Sequence, residues 1–211
     1  VEALGGKFDS GSTARELSTP KHYAYLKISE GCNWRCGYCA IPLIRGKHIS
    51  VPMETLIEEA ERLAAAGVKE LMVIAQDTTY YGVDLYGERK LAQLLTELCK
   101  VKGIEWIRLH YVYPDEVDDE LIDVMATEPK IVKYLDIPIQ HCNDNVLRLM
   151  NRRGDKKLIE DLFAKLRSRI PGIVLRTSVI TGLPGEDEDA FAELCSFLKE
   201  QKLERVGAFA F

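Results

Sequence analysis

The chain has 211 residues, a formal net charge of −5, 46% hydrophobic and 29% charged residues, with 8 prolines and 15 glycines. This is a globular composition that excludes a disordered or fibrous chain, and its length suits a single domain of the α/β barrel kind. The acidic balance argues against a surface built to coat nucleic acid, which wants clustered Lys and Arg, and no apolar run approaches the roughly 20 residues of a spanning helix.

Residues 1–20 mix Gly, Ser, Thr and Pro with no hydrophobic period and read as a linker from something upstream. They lack the charged start and apolar stretch of a signal peptide, so a cytoplasmic protein with no membrane partner is expected. From Tyr23 onward, short β-branched runs alternate with segments of helical period, the pattern of βαβ units on a parallel sheet. Strand 23–29 is followed by a long irregular loop and a helix over 52–66, with Ser50 as its cap, Pro52 in the first turn and Gly67 as its stop. Leu56, Ile57, Ala60, Leu63 and Ala64 form that helix's buried stripe. The unit then repeats as strand 70–75, helix 90–101, strand 106–109, helix 118–126 and strand 134–137. A short helix at 145–150, a longer one at 156–169, strand 174–180, helix 187–202 and strand 205–211 complete the chain. Six strands joined by right-handed crossovers predict an α/β fold, a partial (β/α)6 barrel two units short of the closed form, with its chemistry at the C-terminal strand ends.

Of the six cysteines, three lie within eight residues, in GCNWRCGYCAIP directly after the first strand. In a cytosolic chain this points to metal or redox chemistry and not to a disulfide framework. Cys32, Cys36 and Cys39 have the spacing C-x3-C-x2-C, and thiolates are the ligands of iron–sulfur clusters. Four irons held by three protein ligands leave one iron open to a small molecule. The competing readings are a zinc knuckle, for which His48 is the one nearby fourth candidate, and a disulfide pair with a spare thiol. The loop is expected to be mobile when empty, because its ligands are its main internal tie. Cys99 and Cys195 lie on helix faces beside leucines and read as small buried hydrophobes, while Cys142 carries no assignment.

The pattern C-x3-C-x-aromatic-C, with Tyr38 before the third cysteine, resembles the radical S-adenosylmethionine superfamily. The resemblance implies a [4Fe-4S] cluster whose open iron binds the methionine end of S-adenosylmethionine, and an electron that splits the cofactor into methionine and a deoxyadenosyl radical. The stretches CAIPLIRGKHISVP, QDTTYYG, RLHYVYP, YLDIPIQH, LMNRRG and RTSVITGLPGE are similar to methylthiotransferases along nearly the whole chain from Tyr23. AQDTTYYG and IPIQHCND resemble the branch that modifies an aspartate of the twelfth small-subunit ribosomal protein, more than the branch acting on transfer-RNA adenosine. An iron–sulfur electron-transfer module and a radical enzyme acting on a small metabolite are the rivals of another kind.

The resemblance implies cofactor contacts at Tyr38, Gln76, Gln140, Arg176 and Phe209. Gln76 is expected to accept from the cofactor's amino group, against a competing reading in which Asp77 and Thr78 merely cap a turn. Gln140 and His141 fall where ribose contacts are expected, a solvated loop pair being the alternative. Arg176 lies inside a strand, where a cation is costly unless paired; a carboxylate of the cofactor, ahead of a neighbour such as Asp136, is the expected partner. The glycines of Gly182-Leu183-Pro184-Gly185-Glu186 either permit a tight turn or let backbone approach the adenosyl group. Phe209 offers backbone to the adenine or belongs to the core, with the core reading preferred. The family further implies a ribosomal protein or ribosome as substrate, a flavodoxin-like electron donor, and two parts not found in these residues: an upstream domain with a second [4Fe-4S] cluster and a downstream β-barrel. Residues 21–211 are therefore expected to be the catalytic core of a longer enzyme, able to cleave cofactor slowly but not to transfer sulfur.

Overall fold

The computed structural model describes residues 17–211. Most of the linker expected over 1–20 lies outside the described residues. Strand β1 (Tyr23–Lys27) runs into a two-residue strand β2 (Ser29–Glu30), which pairs antiparallel with β3 (Ile49–Ser50). This ribbon closes the base of the cysteine loop and has no hydrophobic period long enough to read. A five-residue helix, α1 (Ile41–Arg45), lies inside the loop. Then follow α2 (Met53–Ala65), β4 (Glu70–Ile74), α3 (Val83–Tyr86), α4 (Leu91–Lys100) and β5 (Trp106–Leu109). After a 3-10 turn at Pro114–Glu116 come α5 (Asp119–Thr127), β6 (Ile131–Asp136), α6 (Asp144–Leu149), α7 (Lys156–Arg169), β7 (Val174–Thr181), α8 (Glu188–Gln201) and β8 (Arg205–Ala210).

The main sheet has six strands in the order β1-β4-β5-β6-β7-β8, and every pairing is parallel. Each new strand joins on the same side as the last, so the sheet grows in one direction and curls. Lys27 of β1 and Phe209 of β8 line one cavity although their strands are not paired with each other. The result is the partial barrel expected from the element pattern.

Burial alternates along the strands. In β1, Ala24 and Leu26 are fully buried under the helices, whereas Tyr25, facing the lumen, is 41% exposed. The same alternation runs through β4 and β7. The core therefore lies between sheet and helices, with Leu56, Ala60 and Leu63 of α2 packed against it, and the lumen stays open.

Helix starts mostly follow the side-chain oxygens in the sequence. Asp118, Asn143, Asp155 and Asp187 each accept a hydrogen bond from a backbone N–H in the first turn of the helix that follows. Ser50 does not cap α2, whose N-cap position is held by Pro52. Instead its N–H and hydroxyl both donate to Asp84, at 2.8 and 2.5 Å, anchoring the β3 ribbon to α3. Its hydroxyl oxygen meanwhile accepts from the Gly82 N–H at 3.0 Å, so the acceptor a cap would use is spent on the turn before α3.

The ribbon's entry turns on Gly31, whose φ of 77° lies in the left-handed region. A Cβ there would stand 2.2 Å from the Lys47 carbonyl oxygen. Gly31→Ala is expected to lower stability by about 2 kcal/mol or more in urea unfolding; an unchanged midpoint would show that the cysteine loop is not held by this crossing.

Candidate functional site

The three cysteines sit on the loop between β2 and α1 and line one cavity of about 580 Å³ at the C-terminal ends of the strands. All six cysteines of the chain are free thiols. Among the described residues, no three His, Cys, Asp or Glu side chains gather closely enough to hold a single metal ion. His48 is turned away, with its Nε2 3.1 Å from the Ser50 hydroxyl. The zinc reading therefore lacks its compact ligand set. Three thiols lining one cavity without converging on a single point suit a group of several irons, whose ligands stand farther apart. Burial pushes the Cys32 thiol up to about 11, so without metal it is protonated at neutral pH.

The loop is tied down by more than its thiols. The Gly37 N–H donates to the Met150 carbonyl at 2.8 Å, Asn151 Nδ2 donates to the Arg35 carbonyl at 2.8 Å, and the Cys32 N–H donates to Gly46 at 3.1 Å. The bonds from Met150 and Asn151 come from the segment after α6, more than 100 residues away, so the loop has ties besides its cysteines. Trp34 adds a further anchor, its indole N–H donating to Asp77 at 2.6 Å and its ring stacking on Tyr113 at 4.7 Å between centroids.

Arg152 stands at the centre of these ties. Its Nη2 donates to the Pro138 carbonyl at 2.7 Å, its Nη1 donates to the Tyr38 hydroxyl at 3.1 Å, and its guanidinium lies 4.2 Å over the Tyr113 ring. Nη1 is also 3.9 Å from Cys36 Sγ, and the Tyr113 hydroxyl lies 4.0 Å from the same sulfur. Among the described residues, no carboxylate lies within ion-pair distance of this half-buried cation. Such a group wants a negative partner, and the nearby sulfur of Cys36 would supply one on ligating a metal. Neither Arg152 nor Tyr113 was among the residues expected from sequence. The LMNRRG stretch was visible as text, but nothing in its spacing points toward the cysteines.

The expected contact residues divide. Tyr38, Gln76, Gln140 and Phe209 all line the cysteine cavity. Gln76 Oε1 is buried with no hydrogen-bond partner among the described residues, an orphaned acceptor beside three thiols. The turn reading also holds, for its neighbour: Asp77 accepts from the Thr79 N–H at 3.0 Å. Gln140 takes a left-handed φ of 69°, fixed by its N–H to Ser178 at 2.9 Å and by its carbonyl accepting from Ile180 at 2.8 Å. His141 is no solvated partner. It is fully buried, its Nδ1 accepting from the Asn143 N–H at 3.0 Å, which leaves Nε2 to face Glu186 at 3.4 Å. Burial lowers its pKa despite the Glu186 hydrogen bond, so the ring is neutral at neutral pH.

Two expectations are corrected. Arg176 does not line the cysteine cavity. Its Nη1 donates to Asp136 at 2.6 Å, because the register sets these residues side by side, and it faces a second cavity deeper in the lumen. Phe209 is no core residue; it is 57% exposed on the edge strand. The Gly182–Glu186 turn is closed by the Glu186 carboxylate, which accepts from the Gly182 N–H at 2.6 Å, and it does not line the cavity. Cys142 is a buried core residue, and Cys99 packs against the core from a half-buried position.

Comparison with known proteins bears on the family and the fold. The chain is 52% identical over 197 residues to "Ribosomal protein uS12 methylthiotransferase RimO" of Cytophaga hutchinsonii, covering 93% of this chain and 45% of that protein. It is 54% identical to the protein of the same description from an Anaeromyxobacter species, covering 96% of this chain and 43% of the relative. The chain thus spans about half the length of the curated relatives it matches. Among solved structures, the radical S-adenosylmethionine methyltransferase TsrM of Kitasatospora setae aligns with a TM-score of 0.74 at 17% identity, over 93% of this chain and 39% of that one. Coproporphyrinogen III oxidase (HemN) of Escherichia coli aligns with a TM-score of 0.66 at 21% identity, over 96% and 46%. These likenesses bear on the fold. The family model described as "Radical SAM superfamily" matches residues 26–198. Because that match runs from the end of the first sheet strand through the cysteine loop and into the last helix, the chain belongs to the radical SAM superfamily.

Proposed function

We propose that these residues are the catalytic core of a methylthiotransferase that adds a methylthio group to the β-carbon of an aspartate in the twelfth small-subunit ribosomal protein. The observation that carries this reading is the 52–54% identity to relatives of that description along 93–96% of the chain. Cys32, Cys36 and Cys39 would hold a [4Fe-4S] cluster, and the residues fit the group: three free thiols in one cavity, a cation beside Cys36, and an unsatisfied acceptor lining the same cavity. When bound, the cluster supplies the electron for reductive cleavage of S-adenosylmethionine. Gln76 Oε1 is suited to the amino group of that cofactor, and Tyr38, Gln140 and Phe209 to its flanks. The stacked Trp34 and Tyr113 lie beside the buried Cys36, while Cys32 and Cys39 stay partly exposed to the cavity.

In this reading the second cluster and the substrate-docking barrel belong to sequence beyond these residues, the reductant is a flavodoxin-like donor, and the setting is cytoplasmic, on the ribosome or its free protein. No helix among the described residues is long and apolar enough to cross a membrane.

Anaerobic reconstitution of the full-length protein with iron and sulfide should yield cluster absorption, and the reduced protein should form deoxyadenosine from S-adenosylmethionine. Cys36→Ala should lose both. Offered the ribosomal protein and transfer RNA in parallel, the protein should modify the former; modification of transfer RNA alone would refute the substrate. Arg152→Gln should weaken cluster retention about 10- to 100-fold, as loss of a group beside a ligand typically does, with Arg152→Lys recovering part. Equal iron content in both variants and the parent after desalting would remove Arg152 from the cluster's surroundings.

A further inference from the structure

Below the cysteine cavity, the lumen holds a second cavity of about 750 Å³, lined by side chains from all six sheet strands. Ile74 and Tyr111 line both cavities, so the two adjoin. Arg108, Arg176 and Arg205 enter the lower one. Arg108 Nε donates to Glu70 at 2.7 Å, and Arg176 Nη1 to Asp136 at 2.6 Å. Arg205 has no ion pair among the described residues, and Nη2 of Arg176 is likewise without a recorded hydrogen bond.

The register sharpens the imbalance. Asp136, Arg176 and Arg205 are direct neighbours across β6, β7 and β8, a row of one anion and two cations. Like charges side by side on adjacent strands repel, though water reaching the exposed Arg205 keeps the cost small, and an anion placed between them would turn repulsion into attraction. Gly207, next on the lumen face of β8, carries no side chain; a Cβ there would stand 3.5 Å from the Phe209 ring and 3.7 Å from Arg176 Nη2, so the ring borders this nitrogen.

We propose that this row is the seat of a substrate carboxylate, gripped by Arg205 and by the free edge of Arg176. The inference rests on the proposed function and specifies it: the group bound is the side-chain carboxylate of the aspartate to be modified, and its β-carbon then lies toward the adjoining cavity lined by the cysteines. A guanidinium fork matches a carboxylate in two parallel hydrogen bonds, and a lumen cavity of about 750 Å³ has room for an Asp side chain and its neighbouring backbone. A nucleic-acid backbone needs a groove with clustered cations along it, which a chain of net charge −5 does not advertise.

The test is binding of a labelled peptide from the ribosomal-protein loop, with its target Asp or with Asn in its place, to full-length protein carrying its clusters. The parent should prefer the Asp peptide by about tenfold or more. Arg205→Gln should erase that preference by weakening the Asp peptide alone, and Arg205→Lys, which keeps the charge but not the fork, should restore part of it. In turnover, Arg205→Gln should raise KM for the Asp peptide more than it lowers kcat. If Arg205→Gln binds both peptides as the parent does while the parent still modifies the Asp peptide, the carboxylate seat is wrong and the functional reading stands. If the parent ignores both peptides and modifies a transfer-RNA stem-loop, the functional reading falls and the seat with it.

Discussion

A parallel strand must be reached by a crossover, so β1, β4, β5, β6, β7 and β8 all leave their C-terminal ends on one rim. The loops that follow them meet there with little regular structure of their own. What joins them is a small set of polar and aromatic side chains, and Arg152 carries most of the joining. It touches the cysteine loop through Tyr38 and Cys36, the loop after β5 through Tyr113, and the loop after β6 through Pro138. A single cation therefore sets the relative positions of three strand-end loops, and it does so from the face on which the thiols lie.

The frame was legible because its signals are periodic. Long amphipathic helices such as α7, and strand β5, fall at the expected residues, since helix and strand periods both persist over enough positions to be read. The pieces that escaped are short. The two-residue β2 and β3 strands and the four- and five-residue helices α3 and α1 carry no period at all. They exist through tertiary contacts: β3 is held by Asp84, whose distance from Ser50 in sequence hides the partnership. Ser50 illustrates the limit, because its hydroxyl, well suited to cap a helix, instead accepts from Gly82 and donates to Asp84, partners that only the fold brings close.

The site was legible in the same uneven way. Three thiols in close spacing announce themselves, and Gln76 is found because it follows a strand end. A cation in a strand led to Arg176, by the sound argument that it needs a carboxylate, and the fold provides one in Asp136. Arg152 poses the same electrostatic question without an internal answer, yet it lies beyond α6, more than 110 residues from the cysteine it approaches. Phe209 reads as core from its hydrophobicity alone, but its strand has only one neighbour in the sheet, and an edge strand exposes what a central one would bury.

The open lumen explains why such residues are tolerated. In a closed barrel the interior is filled by layers of side chains, mostly branched and apolar, and a guanidinium there would lose its water without recompense. Six strands leave the lumen open, so Tyr25, Arg108, Arg176 and Arg205 keep access to solvent or to whatever enters. The apolar work is done on the other face, where Ala24, Leu26, Leu71 and Val73 meet the helices and are fully buried. Stability and chemistry are thus assigned to opposite faces of one sheet by the period-two alternation of its strands. The polar residues facing inward cost the fold little, and they are free to meet the needs of a bound ligand.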